Sequence, residues 1–170
     1  MNWCIPSDIR VRKRSLRVLL PMDFREGSWE ALEYGVGLIR ENGGSLTILN
    51  VMDVSSHGPF EGPPDWEVIH AQEACEREAH FSRIEREYGR EISIDFVVEM
   101  GSAGEVISGY ADRNDYDAVV LAPHLHHWWQ IFHRHTVRRV LERPCRCPVH
   151  LVMPAPRRRM HPLVEIVSSR

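Results

Sequence analysis

Lysine is almost absent from these 170 residues: Lys13 is the only one, and it stands in a basic stretch near the start of the chain. P-loop phosphate binding and Schiff-base chemistry therefore lack their usual residue. Catalytic signatures are missing as well. There is no G-x-S-x-G elbow, no C-x-x-C, no H-E-x-x-H and no Walker motif, so the chain is not expected to be an enzyme. Long apolar runs are lacking too. Val18-Leu-Leu-Pro-Met22, which follows the basic stretch, is too short for a signal-peptide core, and no segment approaches the length of a membrane span. A cytoplasmic protein without membrane contact is expected, and its four cysteines then read as free thiols. A net charge of −3 argues against a general nucleic-acid binder, which needs a clustered basic face.

The charge that is present is uneven. Residues 61–117 are mostly acidic, whereas Arg134, Arg138, Arg139, Arg143, Arg146 and the run Arg157-Arg158-Arg159 crowd the end of the chain. The run reads as a solvated tail. Between the ends, short apolar runs alternate with helical patterns, the sequence form of a parallel α/β sheet. Strands are predicted at 17–22, 45–51, 92–98, 118–122 and 149–153. The first helix is predicted over Ser28–Glu41, with Ala31, Leu32, Gly35, Val36 and Ile39 on one face and Asn42-Gly43-Gly44 as its stop. A Pro/Gly loop over 53–64 precedes a long polar helix at about 65–88. Ser102 and Glu105 have capping-box spacing at the start of the next helix, and a phosphate-binding turn at Gly101-Ser102 is the competing reading. A fourth helix is expected around Thr136–Glu142. The division that follows is a basic tail at 1–15, one domain at 16–154 and an Arg-rich tail at 155–170.

Several segments in order carry a family resemblance: Arg17-Val-Leu-Leu-Pro-Met-Asp23-Phe24, Leu46-Thr-Ile-Leu-Asn-Val51, Gly101-Ser-Ala-Gly-Glu-Val-Ile107, Asp115-Tyr-Asp117-Ala-Val-Val, and Val137-Arg-Arg-Val-Leu-Glu-Arg143 before Cys147-Pro-Val149. Together they resemble the universal stress proteins of the UspA type, over roughly Leu16–Pro154. The resemblance implies a single-domain, three-layer Rossmann-like α/β fold (adenine nucleotide alpha hydrolase-like), with a five-stranded parallel sheet in order 3-2-1-4-5 and helices on both faces. It also implies a homodimer in which the last strand, Val149–Met153, pairs with its symmetry mate. An apolar edge strand would otherwise need protection.

Strand order reverses between strands 1 and 4, and a ligand crevice belongs at that point, at the carboxyl ends of the strands. Asp23 matches the family's acidic residue after strand 1, near the adenosine of nucleotide-binding members, and Val51 matches a residue beside the base. Asp23 as a turn residue and Val51 as core are the structural alternatives. Nucleotide-binding members then carry G-x-x-G, nine residues, G and S or T. Counting from strand 4 puts Ala122, Leu125, His135 and Thr136 at those positions. Only the Thr136 hydroxyl survives. Side chains in place of the glycines obstruct close backbone approach to phosphates, and Pro123 removes a further N–H.

No cofactor is therefore expected, with ATP bound through a rearranged His/Arg loop as the alternative. His124, His126, His127, His133 and His135, with Cys145 and Cys147, form a possible zinc ligand set without an established spacing. The other readings are polar loop histidines with Trp128, Trp129, Ile131 and Phe132 folded over the sheet, or those aromatics as a patch for an unknown protein partner. Cys145-Arg-Cys147 reads as a turn, with a redox pair as the alternative. A non-catalytic stress-response binding or regulatory module is the expected function.

Overall fold

The computed structural model describes residues 15–25, 27–52, 66–122, 147–153 and 163–167. The histidine- and tryptophan-rich loop, the expected fourth helix, Cys145, and the proposed positions Leu125, His135 and Thr136 lie outside the described residues. The elements in chain order are β1 (Leu16–Pro21), α1 (Ser28–Asn42), β2 (Gly44–Met52), α2 (Trp66–Tyr88), β3 (Ser93–Met100), α3 (Ala103–Arg113), β4 (Ala118–Leu121), β5 (Val149–Met153) and β6 (Leu163–Val167). They build one sheet in order β3-β2-β1-β4-β5-β6. All pairs from β3 to β5 are parallel. β6 joins β5 antiparallel, with Val149 opposite Val167 and Met153 opposite Leu163.

Burial follows strand position. Val18, Leu19 and Leu20 of β1 and all four residues of β4 are buried, as central strands covered on both faces must be. β3, at the edge, alternates between exposed and half-buried residues. The connections β1-α1-β2 and β2-α2-β3 step in one direction across the sheet, and β3-α3-β4 steps back. Right-handed crossovers therefore put α1 and α2 on one face and α3 on the other. Two core clusters result. One packs Leu32, Val36 and Ile39 of α1 and Phe81, Ile84 and Tyr88 of α2 against Val18, Leu20, Leu46, Ile48, Val120 and Val152. The other packs Ile107 and Ala111 of α3 against Leu19, Leu49, Val119, Leu121 and Val149.

Local chemistry explains the boundaries. Gly43 ends α1 in the left-handed region (φ 71°), its N–H donating to the Ile39 carbonyl at 2.7 Å. Gly44 then pairs so closely with Leu16 that a Cβ would fall 1.9 Å from the Leu16 carbonyl oxygen. The Tyr88 hydroxyl donates to Glu33 Oε1 at 2.6 Å, tying α2 to α1, and Arg40 pairs with Glu91 beside it. At the start of α3 the serine half of the expected capping box does not form. Ser102 is the N-cap, but its hydroxyl makes no cap hydrogen bond; instead its carbonyl accepts the N–H groups of Glu105 and Val106, both at 3.0 Å.

β6 changes two expectations. The segment 155–170, read as a tail, contains a five-residue strand. β5, expected to pair along its outer edge with a symmetry mate, is paired on one side with β4 and on the other with β6 of the same chain. Five residues that follow an arginine run and several prolines show too short a pattern to register as a strand by periodicity.

Candidate functional site

The crevice predicted at the strand-order reversal is bounded by the turn after β1. Asp23 Oδ1 accepts the Arg25 backbone N–H at 3.1 Å, an i to i+2 turn characteristic of aspartate. The same oxygen lies 3.1 Å from the Ser28 hydroxyl, which is also 2.6 Å from the Arg25 carbonyl. Asp23 thus closes the turn and leads the chain into α1. Its Oδ2 lies 3.9 Å from Arg25 Nε in an exposed pair that contributes little.

The next residue is held in an unusual conformation. Phe24 has φ 61°, a left-handed backbone that costs a residue with a side chain about 1–2 kcal/mol. Aromatic contacts hold it there. Its ring stacks on His80 (centroids 4.6 Å apart, planes 8° apart) and meets Phe81 edge-on at 5.6 Å, while its carbonyl accepts the Trp29 indole N–H at 3.2 Å. Arg83 in turn lies over the Trp29 ring at 4.6 Å. The turn is therefore clamped from the far side by α2, in contacts of roughly 0.5–1.5 kcal/mol per aromatic pair.

Val51 and Ala122 lie at the carboxyl ends of β2 and β4, as expected from sequence. Val51 is half-buried and packs with the α3-side cluster, whereas Ala122 packs with the α1/α2-side cluster. The structure brings both to the end of the sheet that carries Asp23, but on opposite faces. Hydrogen bonds fix this rim: Met22 N–H to the Leu49 carbonyl (2.9 Å), Asn50 Nδ2 to the Met22 carbonyl (2.9 Å) and Gly101 N–H to the Met52 carbonyl (3.0 Å). Sequence reasoning passes over Asn50, Phe24 and His80. Asn50 carries a weak signal, being an amide near the end of the largely apolar β2 run. Phe24 and His80 carry none, because they meet only through the fold. Glu30, in the first turn of α1, has a carboxylate oxygen buried without a hydrogen-bond partner among the described residues, at a helix end whose dipole favours negative charge.

A second polar contact crosses from α1 to β5. The Tyr34 hydroxyl is 2.9 Å from His150 Nδ1. Burial holds His150 below the ordinary imidazole value, and burial, aided by Glu41, raises the Tyr34 phenol. The neutral imidazole can accept a hydrogen bond from the phenol O–H at this distance.

A further depression among the described residues lies elsewhere. A hollow of about 270 Å³ lies at the amino ends of β4 and β5, lined by Ala111, Asp112, Asp115, Tyr116, Asp117, Cys147 and Pro148. Its groups serve the fold. Arg17 N–H donates to Asp117 Oδ2 at 2.9 Å, the Arg17 guanidinium donates to the Asn114 carbonyl at 2.6 Å, and the same guanidinium lies 5.0 Å over the Tyr116 ring. Burial raises the Tyr116 phenol. Cys147 is buried within the α3-side core. Among the described residues no cluster of histidine, cysteine or carboxylate side chains could hold a metal ion, and no helix is long and apolar enough to cross a membrane.

The fold has close counterparts. A universal stress protein UspA from Lactobacillus plantarum superposes with a TM-score of 0.65 at 19% identity, over 81% of this chain and 97% of its own. A universal stress protein family member from Burkholderia pseudomallei gives 0.59 at 19% identity, over 82% and 96%. A family protein from Arabidopsis thaliana, solved with AMP bound, gives 0.57 at 14% identity, over 82% and 92%. No curated protein shows a significant match to the chain. The model of the universal stress protein family matches residues 15–153, the span that contains β1 through β5 and all three described helices. The chain belongs to the universal stress protein family.

Proposed function

We propose that this protein is a non-catalytic binding and regulatory module of its family, whose crevice does not hold ATP through a glycine cradle. The observation that carries the reading is the state of the Asp23 carboxylate, which closes the β1–α1 turn through Arg25 and Ser28. The residue expected beside an adenosine thus already has a structural task. Ala122 supports the same reading, since a Cβ stands where a glycine would let backbone N–H groups approach phosphate. The protein acts in the cytoplasm on this reading, and what it regulates is another protein.

A nucleotide sensor is the second reading, favoured by the AMP-bound Arabidopsis relative. Thermal unfolding with and without millimolar ATP, AMP or cyclic AMP separates the two. A ligand at about 100 times its Kd stabilises a protein by about 2.7 kcal/mol. No shift with any of the three is the expected result, and a clear rise with one of them favours the sensor.

A further inference from the structure

β6 lies beyond the residues that match the family, which end at residue 153. Without it β5 would be the edge of the sheet, with Val149 and Val152 buried and His150 and Leu151 half-buried along it. An apolar strand with an open edge of N–H and C=O groups is a template for pairing with another chain. β6 fills that edge from within the same chain.

The manner of filling points to the occupant it replaces. β6 runs antiparallel to β5, centred on Leu151 opposite Glu165, and the sheet from β3 to β5 is wholly parallel. Two copies of one strand related by a two-fold axis normal to the sheet also meet antiparallel. A second β5 centred on the same residue would therefore take the direction and length of β6. The compositions agree too, because Leu163-Val-Glu-Ile-Val167 is apolar at four of five positions, as is Val149-His-Leu-Val-Met153. β6 itself is short and has an acid at its centre, two features that discourage an edge from recruiting a further strand.

We propose that β6 is a built-in cap on the β5 edge, which keeps the intact chain monomeric and makes that edge a conditional docking surface for a second copy of this protein. Tethering decides the competition. Residues 154–162 link the two strands, so β6 is presented at an effective concentration of about 1 mM, against about 10 μM for a second copy in solution, roughly a 100-fold advantage at equal pairing strength. Withdrawal of β6 removes that advantage and exposes β5.

The test is the mass of the full chain in sedimentation equilibrium at about 10 μM, compared with three variants. Val164→Pro and Glu165→Pro are made separately, because neighbouring residues alternate in facing β5 and one of the two then loses a ladder hydrogen bond. The paired change Leu151→Cys with Glu165→Cys places two thiols directly opposite, and mapping the oxidised peptides shows whether they join within or between chains. The expected result is a monomer for the intact chain, a cross-link within one chain, and a doubled mass for at least one proline variant with unchanged circular dichroism. A dimeric intact chain, a cross-link between chains, or two folded proline variants that stay monomeric would each overturn the proposal. If both proline variants unfold, the intact mass and the site of the cross-link decide it alone.

Discussion

Replacing Asp23 by alanine asks whether this carboxylate belongs to the fold or to a ligand. In the structure Oδ1 accepts the Arg25 N–H and approaches the Ser28 hydroxyl, each at 3.1 Å. Alanine removes both contacts. Ser28 keeps its bond to the Arg25 carbonyl, so the chief loss is the turn-closing acceptor, comparable to a helix cap at about 0.5–2 kcal/mol. The Asp23 side chain is 39% exposed, and water can reach the orphaned N–H, which puts the cost near the middle, about 1 kcal/mol. The long Arg25 contact adds nothing measurable. With a urea slope of about 2 kcal/mol/M, the midpoint should fall by about 0.5 M. An asparagine side chain would retain the same amide-to-oxygen turn, so Asp23→Asn should lie within about 0.3 kcal/mol of the parent. Urea unfolding followed by circular dichroism measures all three proteins. An alanine variant as stable as the parent would refute the structural assignment of Asp23.

Gly44→Ala places a Cβ 1.9 Å from the Leu16 carbonyl oxygen at φ 137°, so a loss above about 3 kcal/mol, or about 10 °C in Tm, is expected by calorimetry. Gly37→Ala is the contrast: nothing lies within 4 Å of its Cβ, and a helix interior should gain about 0.5–1 kcal/mol. Held below its ordinary value, the His150 imidazole is neutral in the folded state while the unfolded chain binds the proton. Stability is then fully present above about pH 6.5 and falls as the pH drops through that value toward the lower folded one. Urea midpoints across this range should show the fall, and His150→Gln should flatten part of it.

Five strands and three helices are legible in the sequence because the parallel sheet writes a plain pattern. The fully buried β4 reads as an unbroken apolar run, and α1 shows its buried face at helical spacing. Capping is less legible, since Ser102 and Glu105 have the right spacing without the serine side-chain bond. β6 escapes a sequence reading because an antiparallel partner ten residues beyond β5 leaves no long-range mark on a five-residue pattern. At the site, the family resemblance supplies the strand order and the matched positions, and the structure has Asp23, Val51 and Ala122 at the carboxyl end of the sheet as that order implies. The left-handed Phe24 is not foreseeable, because its conformation depends on rings of α2 that sequence separates from it by more than fifty positions.

Calorimetric titration of Mg-ATP into the chelator-treated intact chain tests the central claim most directly. The account predicts no heat of binding up to millimolar nucleotide. A saturable signal with a Kd of about 1 μM, on the order of −8 kcal/mol, would contradict it and show that this chain builds a phosphate site without glycines.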